Sequence, residues 1–412
     1  MSRRNSRNML LKEEIELAVN RQKKLFDQHL SLTPREAKNK INKGSRQVEV
    51  ITGIRRSGKS SLMRQLIEEY TPNYSYLNFE DPRLFDFTVD DFSKLDEILE
   101  SSGSPYFFDE IQNVKGWEVY VRQLHDHGQK VFITGSNASL LSRELGTRLT
   151  GRYLAYEIFP FSYSEFLEYH AWEDNAENFQ NYLDLGGFPE YLRDKNPEIL
   201  QNLLKDIVFR DIAIRYSIKN TKTLLDITLY LISNVGKEIS YNGIKKTFEI
   251  GSANTVSDYL NWLEDAYLLF FLPRFSWSAK SISKNPKKVY CIDTGFARAN
   301  SLSFSKDQGR LLENLVYLIF RKTTYQLFYY REKKECDFVV FEEKTCKWAV
   351  QVSEKIHSEN KNREIEGLFE AMSFFDLKEG FILTLDQEDS LSVNGKMIRL
   401  LPVRAFQKIY LS

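Results

Sequence analysis

The sequence predicts an α/β chain: a parallel sheet with helices on both faces, followed by a winged-helix module and a smaller α/β domain. Three observations carry the first part. Strand-like apolar runs alternate with helical patterns in the first part of the chain, which calls for parallel strands with covering helices and a ligand at their carboxyl ends. A glycine-framed turn containing Gly58-Lys59-Ser60 joins the first run to an amphipathic segment. A later apolar run ends in two acids, Asp109 and Glu110.

The turn is the most informative stretch. Gly53, Ile54, Arg55, Arg56, Ser57, Gly58, Lys59 and Ser60 meet the pattern G-x-x-x-x-G-K-[ST], with an apolar run before and a helical pattern through Ser61 after it. The spacing has a chemical reason. Successive loop amides and the positive end of the following helix form a concavity for a polyphosphate. Lys59 reaches the β and γ phosphates as a point charge, and the Ser60 hydroxyl ligates the Mg²⁺ between them.

Composition narrows the remaining classes. Lys plus Arg and Asp plus Glu both number 57, so any nucleic-acid partner must meet a local patch rather than a basic whole. The three cysteines, Cys291, Cys336 and Cys346, show no C-x-x-C spacing and argue against a disulfide framework or a zinc site. A reducing cytoplasm suits them. The N-terminus turns acidic where a signal peptide needs an apolar core, and runs such as Tyr267 to Leu272 are far shorter than the ~20 residues that span a bilayer. No membrane partner is expected.

Taken in order, residues 1–46 form a charged helical segment, with Leu11, Ile15 and Val19 at i, i+4 spacing and Pro34 as a breaker. Strands are expected at 48–53, 74–81, 105–110, 130–136 and 152–160, within a nucleotide-binding core at 47–170. The run ending in Asp109-Glu110 is a Walker B pattern. It places Asp109 to hold Mg²⁺ through water and Glu110 to polarise an attacking water. The run ending Thr134-Gly135-Ser136-Asn137 fits beside it, and either Ser136 or Asn137 is the candidate sensor of the γ-phosphate; the alternative is a turn that caps the next helix at Ser139.

These stretches, with GRYLAYEIFPFSYSEF (151–166), LGGFPEYL (185–192) and FRDIAIRY (209–216), resemble the AAA+-superfamily ATPases of bacteria and archaea whose nucleotide-binding core is fused to a C-terminal domain. The resemblance implies ATP rather than GTP, and an arginine facing a nucleotide: Arg152, with Arg148 as the alternative. An arginine acting in trans would require a homo-oligomer. Pairing with an acid is the plainer reading of Arg152.

A helical linker is expected at 171–223. Three helical patterns at 224–265 and the strand-like LLFFLPRF and KKVYCID then read as a winged-helix module over 224–300. Its loop from Arg274 to Lys288 carries Lys280, Lys284, Lys287 and Lys288 and no acid, a patch that tracks DNA phosphates or a solvated wing used for protein contact. Residues 301–412 run helix, three strands, helix, strand and resemble the PD-(D/E)XK nuclease fold. Glu313 and Asp337 fit its first two metal positions. The third acid and the assisting lysine fall on Gln351 and Ser353, which weakens metal binding and removes the ammonium. Glu335 and Lys355 are the residues that rescue the site if it works.

The function expected is Mg²⁺-dependent ATP hydrolysis that rearranges a C-terminal half docking DNA or protein. Two alternatives stand beside it: an ATP-gated DNA endonuclease, and a nucleotide-dependent DNA-binding or scaffold protein with little turnover.

Overall fold

The computed structural model describes residues 10–26, 32–99, 104–137, 149, 151–303 and 307–411. Contacts divide the chain into two units, Met1–Phe161 and Ser162–Ser412.

In the first unit, β1 (Val48–Thr52), β2 (Ser75–Asn78), β3 (Tyr106–Asp109), β4 (Val131–Gly135) and β5 (Tyr153–Glu157) form one sheet in the order β2-β3-β4-β1-β5. Every pairing is parallel. The expected strands are all present, each shorter by one to four residues. The strands β1, β3 and β4 are buried along their whole length, as a sheet covered on both faces requires. On one face Ile51, Tyr76, Phe107 and Phe132 meet Leu62, Met63 and Leu66 of the helix Lys59–Ile67. On the other, Val48, Val50, Leu77, Phe108, Val131 and Ile133 meet the helices Lys12–Phe26, Phe92–Leu99 and Trp117–Asp126. The N-terminal helix buries Ile15, Ala18, Val19 and Gln22, while Leu11, expected on that stripe, is exposed.

The second unit opens with helices Tyr163–His170, Ala176–Leu185, Pro189–Asp194 and Glu198–Asp206, the last running into a π-helical stretch Ile207–Ile214. Asp293 explains part of the LGGFPEYL stretch. Its carboxylate caps the helix Thr294–Asn300 through Phe296 N at 2.8 Å and accepts from Gly187 N at 2.7 Å. Helices Thr221–Ile232, Tyr241–Thr247 and Ala253–Asp265 alternate with a three-stranded antiparallel sheet, β6 (Glu238–Ile239), β7 (Leu269–Pro273) and β8 (Lys287–Cys291), in the order β6-β8-β7. The stretch between β7 and β8, expected as a loop, contains the short helix Ala279–Lys284.

A six-stranded sheet completes the unit in the order β13-β14-β12-β11-β10-β9. It comprises β9 (Gln326–Arg331), β10 (Glu335–Glu342), β11 (Thr345–Val352), β12 (Glu379–Thr384), β13 (Asp389–Val393) and β14 (Lys396–Pro402). The helix Gln308–Arg321 precedes it and Lys361–Phe374 crosses between β11 and the parallel β12. The hairpin β13-β14 and the final helix Val403–Tyr410 extend the expected helix, three strands, helix, strand. Among the described residues no helix is long and apolar enough to cross a membrane.

Candidate functional site

The carboxyl ends of β1, β3 and β4 meet at one edge of the first sheet, with β4 lying between the other two. The turn leaving β1 reverses through Gly53 at φ 148°, Arg56 at 63° and Gly58 at 95°. Two of these must be glycine for space as well as conformation: a Cβ on Gly53 would lie 2.1 Å from the Ile158 carbonyl oxygen, and one on Gly58 2.5 Å from Arg35 Nη1. The helix that follows starts on Gly58 with no side chain capping it, so its first amides face outward as an anion site.

Arg35 supports this loop from behind. It is buried, donates to the Ser57 carbonyl at 2.6 Å and the Phe159 carbonyl at 2.7 Å, and lies over the Phe161 ring. Gln65 secures it, accepting from Arg35 N at 3.0 Å and donating to the Thr33 carbonyl at 2.7 Å. Sequence reasoning missed Arg35, because its partners lie 22 and 124 residues away.

Lys59 is 4% exposed. Its Nζ donates to the carbonyls of Gly53 and Ile54, both at 3.1 Å, and sits 3.6 Å from Glu110 Oε1. Asp109 is fully buried and hydrogen-bonds the hydroxyls of Thr134, Ser60 and Tyr76, the last at 3.2 Å. Burial and the adjacent Glu110 push the Asp109 carboxyl up, against the hydrogen bonds from Thr134 and Ser60. Burial acts on Glu110 in the same sense, but Lys59, with Gln112, Arg55 and Ser136, outweighs it and holds this carboxyl below its ordinary value. Glu110 adopts a left-handed φ of 52°, an uncommon conformation for a non-glycine residue, and its amide donates to Thr134 Oγ1 at 2.9 Å. Thr134 thus binds both acids of the pair. Gln112 Nε2 reaches Glu110 Oε2 at 2.5 Å and Ser136 Oγ at 3.5 Å.

Of the expected site residues, the loop Gly53–Ser61, Asp109, Glu110 and Ser136 come together at this edge, and Asn137 follows Ser136 as a buried residue. Thr134, two residues before Ser136, hydrogen-bonds both members of the acid pair, and Ser136 hydrogen-bonds Glu110. Arg55 pairs with Glu80 at 2.8 Å, and Arg56 is exposed. Arg152 precedes β5, its carbonyl accepting from Val48 N, and pairs with Asp126 at 3.5 Å. It therefore stands at the amino end of the strands, opposite the loop, and does not join the site at their carboxyl ends. Arg148 and Ser139 lie outside the described residues.

In the second unit the expected DNA-contact lysines separate. Lys280 and Lys284 are exposed; Lys287 is half-buried against Tyr241. Lys288 corrects the expectation: it is buried among carboxylates, where no DNA phosphate reaches it. Glu313, Asp337 and Gln351 do converge. Gln351 Nε2 donates to Glu364 Oε2 at 2.7 Å, bringing in an acid from the crossing helix that the sequence pattern did not flag. Glu335 joins Asp337 as expected. Lys355 lies past the end of β11, so strand alternation does not extend to it; it is exposed at the rim of the same cleft.

The first unit thus has the fold and loop of a P-loop NTPase, and a family model described as an AAA domain matches residues 45–167. A second model, described as a domain of unknown function, matches residues 176–307. The chain belongs to the family of an uncharacterized protein of Methanocaldococcus jannaschii, to which it is 38% identical over 359 residues, spanning 81% of this chain and 80% of that protein. An uncharacterized protein of Haemophilus influenzae is 33% identical over 320 residues, 71% of this chain and 79% of its own. Among solved structures, the replication initiator DnaA bound to AMPPCP and single-stranded DNA is similar at 16% identity and a TM-score of 0.28, covering 56% of this chain and 86% of that one.

Proposed function

We infer that this chain is a Mg²⁺-dependent ATPase whose turnover rearranges its C-terminal half. The observation that carries the reading is the Lys59–Glu110–Thr134–Asp109 arrangement beside an uncapped helix N-terminus. The donor set fits nucleotide and metal: loop amides and Lys59 for phosphate oxygens, Ser60 and Asp109 for Mg²⁺. Mg²⁺, when bound, neutralises charge on the β and γ phosphates.

The chain's own groups do the rest. Lys59 moves from the loop carbonyls to phosphate oxygens. Glu110, held ionised by Lys59, orients and polarises the attacking water. Thr134 keeps the two acids in register, and Arg35 fixes the loop from beneath.

The order helix, strand, two helices and two strands around β6-β8-β7 supports the winged-helix reading of the middle of the second unit, with Lys280 and Lys284 available for DNA. The helix before β9 and the crossing helix between β11 and β12 support the nuclease-like reading of the six-stranded sheet. A protein partner at the same faces is the competing docking target.

The test is nucleotide binding and ATP turnover by the purified chain, with and without DNA, beside Lys59→Ala. The variant should lose tight nucleotide binding and turnover together. Equal binding by the variant and the parent protein would overturn the assignment, and turnover indifferent to DNA would favour the protein partner.

A further inference from the structure

The second unit brings four charged groups to one point that ATP hydrolysis leaves without a role. Lys288, carried by β8 of the three-stranded sheet, is 1% exposed, and its Nζ lies 2.9 Å from Glu313 Oε1, 2.8 Å from Glu335 Oε1 and 2.8 Å from Asp337 Oδ1. An ammonium has three N–H donors and no acceptor, so three carboxylates use it fully. Burial works against its charge, but Asp337, Glu313, Tyr290 and Glu335 outweigh burial and hold its pKa well above the ordinary lysine value.

The acids are fixed independently of the lysine. Tyr290 donates its hydroxyl to Glu313 Oε1 at 2.7 Å, and Val352 N donates to Asp337 Oδ2 at 2.9 Å. Glu313 and Asp337 are the pair that fit the first two metal positions of the nuclease fold this region resembles. The third position is occupied by Gln351, whose amide is committed to Glu364 on one side and to Asp337 N at 3.3 Å on the other. As it stands, no group of three or more His, Cys, Asp or Glu among the described residues is arranged to hold a metal. Lys288 takes up one oxygen of each of the three acids, and Arg331 lies 3.5 Å from the other oxygen of Glu335, so a divalent ion needing several oxygens finds too few of them free.

We propose that the Lys288 ammonium fills the cation position of this cluster, so that no divalent metal enters and a divalent-cation site opens only when Lys288 is removed. The same ammonium fastens β8 to the helix Gln308–Arg321 and to β10. The adjoining cleft, about 920 Å³, is walled by Glu354 and Glu364 as well as by Lys333, Lys355 and Arg363. This goes beyond the ATPase reading, and its readout involves neither ATP nor turnover.

The experiment measures Mn²⁺ binding by electron paramagnetic resonance on the full chain without nucleotide. Lys288→Ala should bind about one Mn²⁺ per chain more than the parent protein, and Lys288→Ala/Asp337→Asn should lose it. Mn²⁺ at about a hundredfold excess over its Kd should raise the melting midpoint of Lys288→Ala by several degrees and leave the parent unchanged. If Lys288→Ala does not fold without metal, Lys288→Ala/Glu335→Gln sheds the charge of the most exposed acid and carries the same expectation. Two results overturn the proposal: a folded variant that binds no more Mn²⁺ than the parent, or a parent protein with a Mn²⁺ site that Asp337→Asn removes.

Discussion

Lys59 and Lys288 are both buried ammonium groups facing acids, yet they are held differently. Lys59 donates to two loop carbonyls at 3.1 Å and has Glu110 at 3.6 Å, whereas Lys288 has three carboxylates within 2.9 Å. Neutral carbonyls are weaker acceptors than carboxylates, so an incoming phosphate oxygen outcompetes the partners of Lys59 and cannot outcompete those of Lys288. One lysine is poised to change partners. The other is part of the framework.

The contrast has consequences for stability. Lys288→Met leaves Glu313 and Asp337 buried without the ammonium between them, and breaking a buried ion pair in this way costs about 3–5 kcal/mol. Lys59→Met loses two carbonyl hydrogen bonds and one long ion pair, a cost of about 2 kcal/mol. Denaturant midpoints of the two variants should differ accordingly. Equal losses would mean that the two lysines are held alike.

A smaller effect separates an acid paired with a lysine from one held by backbone amides. Glu110, beside Lys59, is held below its ordinary value, whereas Asp293 has backbone amides for partners and is pushed up to about 6 by burial, against the hydrogen bonds of Gly187 and Phe296. A carboxyl whose native pKa lies above its unfolded value of 3.8 binds its proton more tightly when folded. Its stabilisation is complete below about pH 4 and is lost as pH rises through about 6, a change on the order of 3 kcal/mol. Asp293→Asn should remove that slope from the second unit's urea midpoint. Parallel pH profiles for variant and parent would contradict the assignment.

These contrasts also mark what the sequence made legible. The five strands of the first sheet and the positions of Lys59, Asp109 and Glu110 follow from local spacing: an apolar run, a turn of fixed chemistry, an acid at a strand end. Thr134 was passed over for Ser136 and Asn137 because β4 is buried on both faces, and a continuous apolar run does not reveal which side chain turns toward a neighbouring strand. The support that Arg35 gives the loop has no local signature.

Lys288 sits in a run that reads as a basic loop, and only the tertiary placement of β8 turns adjacent lysines apart, Lys287 toward Tyr241 and Lys288 into the acids. The hairpin β13-β14, absent from the expected helix, three strands, helix, strand, does carry a local signature. Its turn is Asn394-Gly395, both at positive φ, the residue pair such turns favour.

The account rests most directly on Glu110 acting on water while Lys59 and the loop hold the nucleotide. Glu110→Gln keeps the shape of the side chain and removes its charge. ATP affinity and single-turnover hydrolysis, measured on the same preparation of this variant, separate the two roles. Affinity should stay close to that of the parent protein while the hydrolytic rate falls roughly a hundredfold or more. Hydrolysis at the parent rate with binding intact would contradict the account.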